Sequence, residues 1–443
     1  MAFHRFYKNR VTQLLIMVKK LKFQSPSGMH DILPEEYKYF QKVYDVSEKV
    51  AGFYGFKKIE TPIVEDTDLF AKGTGFSTDI VQKQMYNLKT KGGDLLTLRP
   101  EFTPGIARAY IEHGMHNMPQ PVKLYSVGPV FRYESPQAGR YRQFHQANFE
   151  FLGEKSAVAD SQVIQLFYNI LKDLKLKNLI VEVNSIGDSQ CRPYYKKLLV
   201  NYFRSREHAL CVDCRRRLRE NPLRILDCKD EKCQRVKTEA PQIINHLCEE
   251  CHRHFKQVLE FLEELQLPYH LNPYLVRGLD YYTKTVFEIF DNSQEGRALG
   301  TLAAGGRYDV LIKLLGGKDT PALGGSVGVE RVVLLMKEKS IKFPKVMATE
   351  VFLAQLGDLA KRKGLKLIEE FKEAGIQIGE SLGRDSLKAQ LRMADKTGAR
   401  YTLILGQKEA LDGTIIIRDM IKGSQEIAKL DKVVKEIEKR IGK

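Results

Sequence analysis

The chain has 443 residues, 43% hydrophobic and 28% charged. This composition excludes a disordered or fibrous protein and exceeds what one ordinary core accommodates, so two or three domains are expected. Its 71 basic residues against 55 acidic ones give a net charge of +16, which favours a polyanionic partner because neutralised phosphates release counterions, although a solvated surface is equally basic.

Residues 1–24 read as an N-terminal extension. Their apolar run at 14–18 is too short for a signal-peptide core and lacks a small-residue cleavage site. No segment approaches the ~18 apolar residues of a membrane span, so a cytoplasmic protein with no membrane partner is expected. A turn-rich stretch at 25–34 leads into an amphipathic helix over 35–53, with Phe40, Val43, Tyr44, Val46 and Val50 on its apolar side. Residues 57–64 alternate as a strand, with Pro62 suiting an edge or an end. Two strands and a helix are expected over 94–113, three strands over 122–153 around a charged loop at 134–141, a helix over 157–174 and a buried strand over 179–183. From 188 to 262 the texture turns helical, basic and cysteine-rich, which reads as an insertion because strand-type sequence resumes at 269–290. Residues 25–187 and 263–336 are then two parts of one core, and 337–346 a linker. Strands alternating with helices over 347–443 predict a separate, mostly parallel α/β domain.

Four stretches carry chemistry. Arg132, Glu134, Arg142, Phe144, Gln146 and Glu150 fall at alternating positions and share one face. With Arg140 nearby, that face offers guanidinium for phosphate, an aromatic for a base, and acceptors for an amine, where an ordinary polar face would only meet water. Glu101 sits at a strand-to-helix transition, with Thr103 as a helix cap and Pro104 as the first helical residue; it either holds a substrate ammonium or pairs with Arg99. The glycine-rich run at 324–328 places Arg331 in the first turn of a helix, where a cation is unfavourable unless an anion compensates. The spacing is not that of a P-loop. Arg277-Gly278-Leu279-Asp280-Tyr281-Tyr282 precedes an alternating strand, with Thr285, Phe287 and Ile289 on one face and Val286, Glu288 and Phe290 on the other. A cation beside two phenols suits a small polar substrate that meets a phosphate.

Six of the seven cysteines lie within 211–251. The pairs Cys211-x2-Cys214 and Cys248-x2-Cys251 suggest a structural zinc with four thiolates, against the plainer reading of small buried hydrophobes. Four thiolates leave no open position for catalysis.

With these residues in view, the chain resembles histidyl-tRNA synthetases of the bacterial type from about residue 25 to its end. The Pro62 region resembles the first class II synthetase motif, the strands around Phe131–Glu134 and 140–146 the second, and 324–331 the third. Arg277–Tyr282 and 304–309 resemble the two signatures peculiar to the histidine enzyme. The resemblance implies an α+β catalytic core on an antiparallel sheet with a helical insertion, followed by an α/β anticodon-binding domain, acting as a homodimer. It implies ATP as substrate with Mg²⁺, formation of histidyl-adenylate, and transfer to the terminal ribose of tRNA(His). By the same resemblance Arg132 grips the α-phosphate and Arg331 the γ-phosphate, while Glu134, Arg140 and Phe144 belong to the ATP site, Glu134 and Phe144 at adenine. Glu101, Thr103 and Gln146 receive the histidine amine. Glu150, Tyr282 and Tyr308 read the imidazole, Tyr281 lines the pocket, and Arg277 bridges carboxylate and α-phosphate. Phe102, Pro104 and Ser135 depart from the family pattern, which puts the pocket wall and one tRNA contact in question. The alternative is the non-catalytic, histidine-sensing regulatory subunit of ATP phosphoribosyltransferase, which usually lacks the tail domain and degrades the Arg277 signature.

Overall fold

The structure, a computed structural model, describes residues 23–341 and 350–442 apart from 77 and 382. Residues 1–22 of the expected extension and 342–346 of the expected linker lie outside the described residues. The chain divides between Ile341 and Lys342 into two compact units.

The first unit is built on strands β1 (Lys57–Lys58), β2 (Val64–Asp66), β3 (Tyr86–Lys89), β4 (Leu95–Leu98), β5 (Val122–Phe131), β6 (Gln143–Leu152), β7 (Leu179–Ser185), β8 (Tyr269–Leu271), β9 (Thr283–Asp291), β10 (Ala303–Arg307) and β11 (Ala322–Gly328). Eight of them form one sheet in the order β1-β5-β6-β11-β10-β9-β7-β8, and β2-β4-β3 form a small second one. The five central pairings, from β5·β6 to β9·β7, are antiparallel; the outer pairings β1·β5 and β7·β8 are parallel.

Alternation along β6 sorts its side chains. The odd positions face the helices: Phe149 lies against Tyr125 and Phe167 of the helix Ala157–Asp173, with ring centroids 5.7 and 5.5 Å apart. The even positions Phe144, Gln146, Asn148 and Glu150 share the opposite face. Glycines let the strands close over that face. A Cβ on Gly324 would sit 1.8 Å from a Glu150 carboxylate oxygen, and one on Gly305 would sit 2.2 Å from the Gly324 carbonyl oxygen.

Several expectations are corrected. Only two strands occupy 122–153, because β5 and β6 each run ten residues as one long hairpin. One strand, not two, falls within 94–113; its partner β3 lies earlier, in a stretch whose lysines and glutamines obscure the alternation. The strand expected over 57–64 splits into β1 and β2 around Pro62, which has no N–H to give a ladder. The helix Glu249–Glu264 runs past the expected insertion boundary and lies against the core: Ser161 Oγ donates to the Val258 carbonyl at 3.3 Å, and a His254 ring nitrogen is 3.3 Å from Asp160.

The second unit carries β12 (Val351–Gln355), β13 (Ile378–Glu380), β14 (Tyr401–Leu405), β15 (Thr414–Asp419) and β16 (Gln425–Lys429) in the order β13-β12-β14-β15-β16. Two pairings are parallel and two antiparallel, so the sheet is mixed rather than mostly parallel. The exposed strand β16 escapes a reading based on apolar runs. Val433 and Ile437 of the last helix, Val433–Ile441, are buried in this unit's core.

Arg307, in the stretch marked by the sequence, is fully buried and serves the fold. It pairs with Asp160 and Asp309 and donates to the carbonyls of Glu154 and Ser156. Burial opposes the Asp160 charge, but Arg307 outweighs it and holds that carboxyl down to about 2, against an ordinary 3.8. Arg307→Ala strands a buried carboxylate and should cost about 3–5 kcal/mol in urea denaturation at neutral pH. Because the Asp160 pKa is depressed, its contribution is present above pH 3.8 and lost as pH falls towards 2, so the deficit should narrow in acid.

Candidate active site

Two buried carboxylates form the centre of the even face. Glu101 follows β4 and accepts from Thr74 Oγ1 and Tyr281 OH, both at 2.7 Å. Glu150 on β6 accepts from Asn148 Nδ2 at 2.9 Å, from Thr103 Oγ1 and from Tyr308 OH. Tyr281, Tyr282 and Tyr308 pack as a buried trio with ring centroids 4.7, 5.5 and 6.5 Å apart. Burial, with Glu101 beside the first and Glu150 beside the second, keeps the Tyr281 and Tyr308 phenols well above their usual pKa, hence protonated as donors.

Thr103 opens the helix Thr103–Glu112 as its first residue, and its hydroxyl goes to Glu150; the expected helix cap is therefore not what this side chain does. Glu101 does not pair with Arg99, which instead donates to the carbonyls of Pro129 and Thr61 at 2.9 Å and lies over the Phe102 ring. Burial pushes the Glu101 carboxyl above its usual range despite Arg132 and the two hydroxyl donors. Burial pushes Glu150 up to about 7 from 4.5, against its three donors and with Glu101 adding to the rise. Gln146 pairs on its strand with Gly128 and Gly328, between Phe144 and Asn148 on the same face.

A group of cations adjoins these acids. Arg132 lies with its guanidinium 5.4 Å from the Phe144 ring centroid and donates from Nε to the Pro100 carbonyl at 2.9 Å. In the loop after β5, Arg140 pairs with Glu134 at 3.3 Å. Arg331, third residue of the helix Val329–Glu338, donates to the carbonyls of Gly139 (3.2 Å) and Thr301 (2.9 Å). Burial, and then Arg140 beside it, hold the Arg331 pKa below its usual value, although Glu134 and Glu288 act to raise it.

Arg277 meets Glu288 in an ion pair and lies 5.6 Å from the Tyr282 ring centroid, while its Nε is buried with no hydrogen-bond partner. Burial works against the Arg277 charge, and Glu288 more than offsets that, so its pKa is raised.

The structure thus brings together Glu101, Thr103, Glu150, Tyr281 and Tyr308, and beside them Arg132 with Phe144, Glu134 with Arg140, and Arg277 with Tyr282. It adds residues the sequence reading passed over: Thr74, Asn148, Glu288 and Thr301, the last donating to Glu288 at 2.7 Å. The alternation had already put Glu288 on the strand after the arginine signature, and a lone acid amid buried apolar neighbours was the available signal. The zinc reading needs correction in its ligands. Cys211 and Cys214 group with Cys228 and Cys233, whereas Cys248 and Cys251 group with Asp188 and Cys191, so the two CxxC pairs do not share one site.

An antiparallel sheet with arginines from three motifs on one face defines an enzyme of the class II synthetase type. A family model for histidyl-tRNA synthetases matches residues 28–332, and one for an anticodon-binding domain matches 350–440. A histidine–tRNA ligase of Dehalococcoides mccartyi is 44% identical over 95% of this chain and all of that one, and one of Caldicellulosiruptor saccharolyticus 42% identical over the same shares. The crystal structure of apo histidyl-tRNA synthetase from S. aureus is similar with a TM-score of 0.77 at 35% identity, covering 94% of this chain and 99% of that one. The chain belongs to the histidyl-tRNA synthetase family.

The raised Glu150 pKa has a consequence for stability. A carboxyl that ionises near pH 7 when folded but near 4.5 when unfolded favours the fold below pH 4.5, and that advantage is lost as pH rises through about 7. Glu150→Gln removes the titration, so its stability relative to the unaltered chain should improve by about 3 kcal/mol between pH 4.5 and pH 8. Thermal denaturation of both across that range checks it; a constant difference would return Glu150 to the ordinary carboxylate range.

Proposed function

We propose that the chain ligates L-histidine to tRNA(His) in two steps, activating the amino acid with ATP to histidyl-adenylate and then passing the histidyl group to the terminal ribose hydroxyl of the tRNA. The observation that carries this reading is the juxtaposition of the Glu150–Tyr308 pair with Arg277. A buried acid and phenol suit an imidazole, which presents both a donor and an acceptor. Such a site rejects apolar side chains of similar size because its own polar groups would be left unpaired.

Glu101, with Thr103 and Gln146, receives the ammonium; Glu150, Tyr282 and Tyr308 read the ring, and Tyr281 lines the pocket. Arg277 bridges the histidine carboxylate and the α-phosphate, with Glu288 holding its guanidinium. Arg132 takes the α-phosphate and Arg331 the γ-phosphate. Arg140 and Glu134 flank the nucleotide, and Phe144 stacks on adenine. A carboxylate oxygen attacks phosphorus, the bond to the pyrophosphate oxygen breaks, and negative charge gathers where the guanidiniums already point. Fixed cations stabilise that charge without reorganising, and holding both anions in line removes much of the entropic barrier.

Mg²⁺ takes oxygen ligands; Glu134 and Glu288, the two carboxylates acting on Arg331, already pair with Arg140 and Arg277, so the triphosphate would supply most of its ligands. When bound, it neutralises charge on the departing pyrophosphate. The match of residues 350–440 to an anticodon-binding model and the net charge of +16 support tRNA as partner. No helix among the described residues is long and apolar enough to cross a membrane, and we place the enzyme in the cytoplasm. A homodimer is supported by apolar side chains at the surface around the first motif, Phe53, Ile63 and Val64, of which Phe53 is 83% exposed.

ATP–pyrophosphate exchange across the twenty amino acids tests the reading. Exchange with histidine alone is expected, falling by about 10²–10³ in Arg277→Ala, the usual loss when one transition-state donor is removed. Exchange with another amino acid would overturn the imidazole assignment.

A further inference from the structure

We propose that the helical insertion carries two structural zinc ions, one held by Cys211, Cys214, Cys228 and Cys233, the other by Asp188, Cys191, Cys248 and Cys251. In each group the four ligand atoms lie within 4.8 Å of one another, although the residues are drawn from different helices and turns. Tetrahedral zinc with Zn–S bonds of about 2.3 Å sets its sulfurs roughly 3.8 Å apart; Cys211 Sγ and Cys228 Sγ are 3.8 Å apart. All seven cysteines are free thiols. The Cys211 N–H donates to Cys233 Sγ at 3.2 Å, the kind of contact that favours a thiolate.

The first group ties together a segment built from short elements, whose apolar side chains Leu218, Ile225 and Leu226 are buried in the core. Its helices, Val212–Glu220 and Glu231–Lys237, have nine and seven residues, too short to persist without tertiary support. Yet this segment holds the active-site loop. Arg217 and Arg224 both donate to Asp79 Oδ2 at 2.9 Å, Asn221 donates to Asp280 Oδ1 at 2.7 Å, and Arg224 to the Gly278 carbonyl at 3.2 Å. Asn221 and Arg224 line one cleft with Arg277, Asp280 and Tyr282. The metal therefore positions the loop that presents Arg277, with no open coordination site for chemistry of its own.

The second group stands on its own observation: it joins the chain entering the insertion to the chain leaving it. Gly187 precedes Asp188 with φ +64°, and a Cβ there would lie 2.6 Å from Cys191 Sγ, so glycine keeps that sulfur's surroundings open. The same turn is tied to β9, since Ile186 N–H donates to the Lys284 carbonyl and Lys284 N–H to the Gly187 carbonyl, both at 2.8 Å.

The test is metal analysis of the full chain purified without chelator, with Zn²⁺ as the probe. About two zinc ions per chain are expected, falling to about one in Cys228→Ser and about one in Cys251→Ser, as ligand loss from independent sites requires. Cobalt substitution should give thiolate charge-transfer bands stronger for the four-cysteine site than for the other. In exchange assays Cys228→Ser should raise KM for histidine about tenfold, a positioning loss, with KM for ATP little changed. One zinc, lost in Cys228→Ser and kept in Cys251→Ser, would retain the first site and overturn the second. Metal-free protein that takes up no Zn²⁺, or native disulfides found by mass spectrometry, would overturn both. Metal content is read independently of which amino acid is activated, so this test and that of the proposed function fail separately.

Discussion

Burying two carboxylates in one pocket is the constraint on which the rest of the core depends. Burial raises the cost of ionising both Glu101 and Glu150, and Glu101 adds to it for Glu150. An isolated buried carboxylate is prohibitive. Here the cost is spread over hydroxyl donors (Thr74, Thr103, Tyr281 and Tyr308) together with the Asn148 amide. Each donor comes from a different part of the chain, so the pocket is satisfied only when the helix Thr67–Thr74, the helix after β4, strand β6, the loop before β9 and the end of β10 are all in place. The glycines follow from the same demand, since a methyl group at Gly324 would fall on the Glu150 carboxylate.

The cations answer a different requirement. Arg132, Arg140 and Arg331 come from the second and third motifs, and Arg331 stands at the positive end of a helix, where its charge is least welcome. Glu134 offsets part of this repulsion through Arg140, and Glu288 secures Arg277. Burial and Arg140 still leave the Arg331 pKa lowered, and the Arg277 Nε is buried with no hydrogen-bond partner. Guanidiniums gathered in this way suit anions, and a triphosphate and a carboxylate are the anions this reaction supplies.

How much of this was legible depended on whether the signal was local. Alternation in β6 placed Phe144, Gln146 and Glu150 on one face directly, and the arginine positions followed from turns and strand ends. The helix boundaries at Pro34–Phe53 and Ala157–Asp173 came within a residue or so because apolar periodicity was strong. Partners distant in sequence were not legible. Thr74 reaches Glu101 across 27 positions and Tyr308 reaches Glu150 across 158, and nothing in either neighbourhood announces the other. Thr103 shows the same limit from the other side, for its place beside a helix start suggested a cap, whereas a buried acid claimed its hydroxyl. The cysteines repeat the lesson: spacing nominated the right residue type, and only the packing of the insertion decided which four converge.

The insertion also explains why the Arg277 signature is not self-sufficient. Gly278 adds freedom where Arg277 must be held still, in the long connection between β8 and β9. Glu288 fixes the guanidinium from the strand side, while Arg224 and Asn221 fix the backbone and Asp280 from the insertion side. Releasing either side leaves the charge present but imprecisely aimed, and a displacement of about 1 Å is enough to cost roughly 10²-fold in an oriented reaction. On the proposed reading, the geometry at Arg277 is thus set jointly by the catalytic sheet and by a helical segment that contributes none of the proposed catalytic side chains.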